Sequence, residues 1–312
     1  MLQILSTSNE TSTGPELVKN GNFSEVGSEL VTNGNFSATG SELVVNGDFT
    51  SATSWNLNVP PWTIDTVAGT ISSDGTSTND ANQGLFPTLG NSYKVEYTIS
   101  AITQGSYKIT FGGVTTALEG SVGTHTYYIT AIDATGYNAR LRIGLDNNTI
   151  GTISNVSVKE LGADWASQDG NIDTYNENGV TITSINADND NRLSQNSVTE
   201  DGKSYKVTYT IHATSFSTGT VFEYFDGDFY RAFPEQGVGT HTFYFTRIGT
   251  DDFWNLNLDA SSSGSLTDFV TISSISVQEV GQGWEADGTG SGVVTFPNGM
   301  ARIETVAAPN QA

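Results

Sequence analysis

Few side chains in this chain could do covalent chemistry. It has three histidines, His125, His212 and His241, and no cysteine. Thiol nucleophiles, zinc-thiolate sites and disulfides are therefore excluded. His125 and His241 each follow Gly-Thr at the start of an alternating stretch. One position used twice reads as structural, a ring nitrogen bonding a turn carbonyl. No Gly-x-Ser-x-Gly elbow is present to bring serine, histidine and acid together. Glu223, Asp226 and Asp228 could pair as glycosidase carboxylates. They sit on or beside an expected hairpin tip, where acids usually solvate the turn. The expectation is a protein that is not an enzyme.

Two loops are rich in oxygen ligands, "NADNDN" at 186–191 and "DGNIDTYNEN" at 169–178. Hard cations want that chemistry, so Asp188 and Asp190 are the candidate ligands of a structural calcium. Neither loop has EF-hand spacing, and a solvated turn is the plainer reading. No other cofactor is expected. Aromatic residues are the better binding signal, because sugars stack their C–H faces on Trp and Tyr rings. "FEYFDGDFYRAF" (222–233) and "DDFWNLN" (251–257) carry Tyr224, Tyr230, Arg231 and Trp254 as a candidate glycan-facing patch. Period-two alternation puts Val221, Glu223 and Phe225 on one face and Phe222 and Tyr224 on the other. The competing reading is that these rings fill a core. Trp55, Trp165 and Trp284 recur once per repeat and are read as core.

These residues must be held by strands. "SYKVEYTIS", "HTYYITAI", "SYKVTYTIH" and "HTFYFTRI" alternate β-branched and aromatic residues with polar ones, bounded by Gly, Asn, Asp and Ser. Asp226-Gly227 reads as a tight hairpin turn. The fold class expected is all-β: two tandem antiparallel β-sandwich (jelly-roll) domains, with short strand repeats before them and a partial third unit after them.

Internal repeats set the boundaries. "GNSYKVEYTIS" matches "GKSYKVTYTIH", "VGTHTYYIT" matches "VGTHTFYFT", and "ISNVSVKELGADW" matches "ISSISVQEVGQGW", at offsets of 112, 116 and 119 residues. The reading is an arm over 1–40, domain one over 41–161, domain two over 162–281 and a partial repeat over 282–312. Within the arm a short phrase recurs every 13 residues: "ELVKNGNF" at Glu16, "ELVTNGNF" at Glu29, then "ELVVNGDF" at Glu42. The third leads into Trp55 and should open domain one. The first two look like spare strands with no domain behind them. Leu17, Val18, Phe23, Leu30, Val31 and Phe36 are their candidate assembly residues, pairing with a neighbouring chain. The alternative is a flexible leftover arm.

The segments "ELVVNGDF…SW", "GNSYKVEYTIS", "GTHTYYIT" and "GTISNVSVKE", with their second copies, resemble the jelly-roll repeats of tailed-phage virion structural proteins, especially those of marine and cyanobacterial hosts. The layout is also similar to family 4/9-type carbohydrate-binding modules. The resemblance covers roughly 41–280. It implies a jelly-roll fold and a fibre, decoration or tail-appendage role, or else sugar binding. Some such modules hold a structural calcium through acids near the first and last strands. Here Ser154, Ser273 and Ser274 stand at the closing position, which puts that site in doubt.

Bulk properties narrow the partners. The net charge is −22, from 34 acids against 12 basic residues. Phosphate-directed nucleic-acid binding is disfavoured, and anionic membranes should repel the chain. No stretch approaches the roughly 18 apolar residues of a membrane span, so no membrane insertion is expected. The start, "MLQILSTSNE", lacks a basic n-region and an apolar core, so it does not read as a secretory signal. The expected setting is a virion, an extracellular particle whose proteins are made in the host cytoplasm. The expected partners are further copies of the chain (a homo-oligomer, trimer or larger), other virion proteins and host surface glycans.

Overall fold

The computed structural model describes residues 18–305, except 24, 147, 168–172, 185–190, 250, 252, 261–266, 283, 285–291 and 296–299. Leu17, Asp188 and Asp190 lie outside the described residues, so their expected roles rest on the sequence alone. Among the described residues every regular element is a β-strand. In chain order these begin with β1 (Val26–Glu29) and β2 (Thr39–Glu42). Next come β3 (Asn56–Leu57), β4 (Trp62–Asp65), β5 (Thr70–Asp74), β6 (Ala81–Gly84), β7 (Ser92–Gln104) and β8 (Tyr107–Phe111). Then follow β9 (Val114–Thr115), β10 (Gly123–Thr130), β11 (Arg140–Leu145) and β12 (Ile150–Leu161). The second half holds β13 (Ala166–Ser167), β14 (Thr174–Asn176), β15 (Gly179–Thr183), β16 (Asn191–Asn196), β17 (Ser204–Ser215) and β18 (Thr220–Phe225). It ends with β19 (Tyr230–Ala232), β20 (Gly239–Thr246), β21 (Phe253–Ala260), β22 (Phe269–Val280), β23 (Gly292–Thr295) and β24 (Arg302–Thr305).

Each domain is two facing antiparallel sheets. Domain one pairs β10-β7-β12-β5-β4, with β2 added on β12, against β3-β6-β11-β8-β9. Domain two repeats this as β14-β15-β22-β17-β20, with β1 added on β22, against β13-β16-β21-β18-β19. Alternation explains the layering. On β7, Tyr93, Val95, Tyr97 and Ile99 are buried while Lys94 and Glu96 are not. On β17, Tyr205, Val207, Tyr209 and Ile211 do the same. The two histidines behave as their repeated position suggested. The Nε2–H of His125 donates to the Ser121 carbonyl at 3.0 Å, and that of His241 to the Gly237 carbonyl at 2.8 Å.

The N-terminal phrases depart from expectation. They are turns rather than strands; in the second and third, the strands are the four residues ending at Glu29 and Glu42. The second phrase is not spare. β1 pairs with β22, and Val31 and Phe36 are buried in the core of domain two. The third phrase serves domain one likewise, through β2 on β12 and through Val44 and Phe49. A domain-one boundary at 41 therefore falls inside β2, and part of the expected arm belongs to domain two.

One set of bonds docks both phrases. Leu43 N–H donates to the Val158 carbonyl at 2.9 Å and Leu30 N–H to that of Val277 at 3.0 Å. The Glu42 carboxylate accepts from Val158 N–H at 2.9 Å and from the Ser157 hydroxyl at 2.6 Å. Glu29 accepts from Val277 N–H at 2.9 Å and from the Ser276 hydroxyl at 2.5 Å. A glutamine clamps the far side. Gln83 accepts from Val45 N–H and donates to its carbonyl, at 2.8 and 2.9 Å; Gln195 does so to Thr32 at 3.1 and 2.6 Å.

The turn conformation explains the residue types. Asn33 and Asn46 have φ of 51° and 56°, in the left-handed region that asparagine tolerates. Phe36 and Phe49 also sit there, at 58° and 56°. That costs a non-glycine residue about 1–3 kcal/mol, offset by complete burial of each ring against Trp165 or Trp55 at 5.3 and 5.5 Å.

Phe36→Ala should destabilise domain two by about 3–5 kcal/mol and leave domain one intact. Hydrogen exchange followed by strand checks this. Amides of β21 and β22 should exchange faster while those of β7 and β12 hold their protection.

Candidate functional site

The aromatic patch expected from sequence does not exist as a surface. Trp254 is fully buried and packs in the domain-two core with Leu256 and Leu258. Tyr224 lies 4.8 Å from Phe243 and 5.1 Å from Phe245 in the same core, and burial pushes its phenol up to about 12. Both assignments as ligand-facing residues are corrected. Phe222 and Tyr224 form the inward face of β18, so Val221, Glu223 and Phe225 point out. Phe225 is still buried, because Phe253 stacks on it at 4.9 Å and Tyr230 lies 5.1 Å away.

Tyr230 and Arg231 lie on the edge strand β19. Arg231 Nε donates to Asp226 Oδ2 at 2.8 Å and its guanidinium covers the Phe229 ring at 5.2 Å. Asp226 also accepts the N–H groups of Asp228 and Phe229, at 3.0 and 2.8 Å, closing the 226–229 turn. Burial alone would raise its carboxyl, but the Arg231 bond and these N–H groups hold it below the usual range. Such an acid stays ionised at neutral pH and cannot serve as a general acid.

Tyr230 instead joins a polar cluster that sequence reasoning missed, on the outer face of the five-stranded sheet of domain two. Register places Arg192, Asn257 and Glu223 in one row across β16, β21 and β18. Ser194 and Asn255 lie in the next row, which Phe225 and Tyr230 continue. Asn257 Nδ2 donates to Glu223 Oε2 at 3.1 Å, and Asn255 Nδ2 donates to the Tyr230 hydroxyl at 3.2 Å. The Arg192 guanidinium lies over the Tyr230 ring at 4.9 Å. Both asparagines are buried, yet the Oδ1 atoms of Asn255 and Asn257 have no hydrogen-bond partner among the described residues. An unmatched buried acceptor costs roughly 1–3 kcal/mol. Both Oδ1 atoms are sealed from solvent, so a hydroxyl-rich ligand would reach them only if the surrounding side chains moved. The available signal was "WNLNL", whose asparagines alternate with the core residues Trp254, Leu256 and Leu258.

The corresponding face of domain one closes on itself. Tyr137 donates to Asp80 Oδ1 and Oδ2 at 2.5 and 2.6 Å, Arg142 lies over its ring at 4.4 Å, and Arg140 Nη1 donates to Asn82 Oδ1 at 2.9 Å. No group of three or more metal-ligating side chains occurs among the described residues.

A second concavity lies where the domains meet. A cleft of about 290 Å³ is lined by Asn91 and Glu160 of domain one and by Trp165, Asp173 and Tyr175 of domain two, among others. Tyr175 N–H donates across the junction to the Ser92 hydroxyl at 3.2 Å. Asp173 is buried there. Burial pushes its carboxyl up to about 7, with Ser167 and Asn191 pulling the other way.

The sequence matches no family model, and no curated protein matches it. Among solved structures it is similar to the tandem CBM22-1-CBM22-2 domains of Paenibacillus barcinonensis Xyn10C. That match has 8% identity, covers 82% of this chain and 99% of that one, and has a TM-score of 0.28. It is similar to a fucolectin from striped bass (Morone saxatilis) serum, at 12% identity, 78% and 94% coverage and a TM-score of 0.24. A chain of Sulfolobus turreted icosahedral virus is similar at 12% identity, 67% and 54% coverage and a TM-score of 0.20. These likenesses are slight, so the functional argument rests on this chain's own residues.

Asp173 keeps its proton up to about pH 7 when folded but loses it near 3.8 when unfolded. Raising the pH through that window therefore costs stability. Asp173→Asn should stabilise the chain by on the order of 2–4 kcal/mol at pH 7.5, and the gain should shrink towards zero near pH 4. Urea denaturation at the two pH values checks both points.

Proposed function

We propose that this chain is a non-enzymatic structural protein of a virion, a fibre, head decoration or tail appendage, that assembles through β-strand pairing. The observation that carries the reading is the strand economy at the N-terminus. One segment lends β1 to domain two and β2 to domain one, and a further copy of the same phrase precedes them. A chain built from strands lent across distance can lend or accept one between molecules. The reading predicts a homo-oligomer, trimer or larger, at micromolar concentration by light scattering. A strictly monomeric mass overturns it.

A second reading, a tandem carbohydrate-binding protein without a structural role, is favoured by the half-buried Tyr230 ring, held by Asn255 and covered by Arg192. Both readings hold together if a particle grips host surface glycans. Tyr230→Ala should weaken glycan binding at least tenfold and lower the melting temperature slightly with domain two still folded, whereas Trp254→Ala should unfold domain two. A glycan array with no hits at millimolar ligand counts against sugar binding and leaves the structural reading in place.

A further inference from the structure

A buried position at the domain junction differs in kind between the two repeats. Register fixes the equivalence. Ile71 of β5 pairs with Ile64 and Ile153, and Val180 of β15 pairs with Tyr175 and Ile272. Ile153 and Ile272 open the matching segments "ISNVSV" and "ISSISV". Tyr175 therefore stands where Ile64 stands, and Asp173 where Trp62 stands. Trp62 is 1% exposed, and its indole N–H donates to the Asn79 carbonyl at 2.8 Å. Asp173 is 5% exposed and has Asn191 beside it, which precedes Gln195 as Asn79 precedes Gln83. The frame accepts an indole at this place, so an acid is not something the fold requires.

The acid borders the cleft between the domains, with Asn91, Ser92 and Glu160 on one side and Trp165 and Tyr175 on the other. The walls are set. Asn91 Nδ2 donates to Glu160 Oε1 at 2.8 Å, which orients that carboxylate. Gly162 has φ of 74°, and a β carbon on it would collide with the Tyr175 ring, so the ring is wedged against the link between domains. Two of the residues lining the cleft are acids, and among the described residues none that lines it is Lys or Arg. Burying a carboxylate with no cation beside it is costly. Domain one avoids that cost with Trp62, and domain two incurs it. A cation entering the cleft would offset it, and aromatic rings such as those of Trp165 and Tyr175 attract cations as well.

We propose that this cleft binds a small organic cation, an ammonium or guanidinium group on a short apolar stem, with Asp173 as its principal counter-charge. Glu160 supplies a second negative charge from domain one, and Trp165 and Tyr175 pack against the stem. The volume of about 290 Å³ lies at the small end of ligand pockets. An anion would meet two acids and no base, so phosphates and carboxylates are excluded as occupants. The ligand touches both domains, and its recognition depends neither on self-assembly nor on sugar binding.

The test titrates the isotope-labelled full chain with n-butylammonium chloride at pH 7.5, with ionic strength held constant by sodium chloride. Saturable millimolar binding is expected, read from the Trp165 indole and Tyr175 amide N–H signals, together with a rise in melting temperature at saturating ligand. The uncharged n-butanol should not bind. Asp173→Asn should weaken n-butylammonium binding by about tenfold or more, the loss of a charge-assisted bond. It should also abolish the rise in melting temperature. This variant is expected to melt higher than the parent chain, so lost binding is not lost folding. No saturable shift, equal binding of n-butanol, or equal binding by Asp173→Asn overturns the site. The blocked peptide acetyl-Gly-Lys-Gly-amide separates the two sources of the charge. Tighter binding than n-butylammonium assigns it to a lysine side chain, weaker binding assigns it to a free amine, and both support the site.

Discussion

The architecture depends on a close approach between two backbones. In each finished domain the glycine of an Asn-Gly turn lies against a carbonyl of the last strand, at a distance no β carbon could share. Glycine there is a steric requirement and not a loosening of the chain. Beside it the following phenylalanine adopts a left-handed backbone and drops its ring onto a tryptophan. The turn and ring stack also form in the first phrase, where Phe23 packs on Trp284 and no described backbone crowds Gly21. The approach brings the preceding glutamate to the strand's N–H and serine. A domain of this kind is therefore incomplete until its first and last strands meet.

That requirement explains how the phrases find their domains. The tryptophan that caps each phrase lies 9, 132 and 264 residues away for the third, second and first phrases. Closing a loop of 132 residues rather than 9 costs about 2 kcal/mol more if the intervening chain is a coil. Folding removes most of that cost. Once β2 has paired with β12, Thr39 lies opposite Leu161, so domain one holds its own ends together. The second phrase, just upstream of β2, is then delivered to Trp165, just downstream of β12. Pairing of β1 with β22 sets Val26 opposite Val280 and delivers the first phrase to Trp284 in the same way. The reversed order of the phrases is the order that nested closure needs.

Much of the fold was legible because period-two alternation and near-identical segments are local signals. Tyr93 and Tyr205, His125 and His241, and the two closing strands all take matching places. The nesting was not legible, since adjacency in sequence suggested that a phrase without a tryptophan close behind it has no domain. Gln83 and Gln195, which clamp the phrases, carry no motif, and only register reveals them as equivalent. The candidate site failed for a different reason. Alternation assigns residues to faces but does not say what covers a face. Phe225 points outward and is buried, whereas Trp254 sits among asparagines and points inward. The neighbours that decide this, Tyr230, Phe253 and Arg192, come from three strands.

Comparison of the two repeats shows which parts of the scaffold are constrained. The docking set is kept: Glu29 for Glu42, Gln195 for Gln83, Gly34 for Gly47, Ser276 for Ser157. The outer face of the five-stranded sheet is not. Aligned on the two glutamines, Asp80, Gly144 and Lys108 in domain one become Arg192, Asn257 and Glu223 in domain two. The charges at the two ends of the row are exchanged, and a glycine becomes a buried amide. Interchangeable packing does not produce an exchange of sign. It places different chemistry on two copies of one frame, free to vary because no docking bond passes through that face. Closure by lent strands therefore separates two tasks, with the six-stranded sheets and the inward glutamines holding the chain together and the outer faces of the five-stranded sheets left open to diverge.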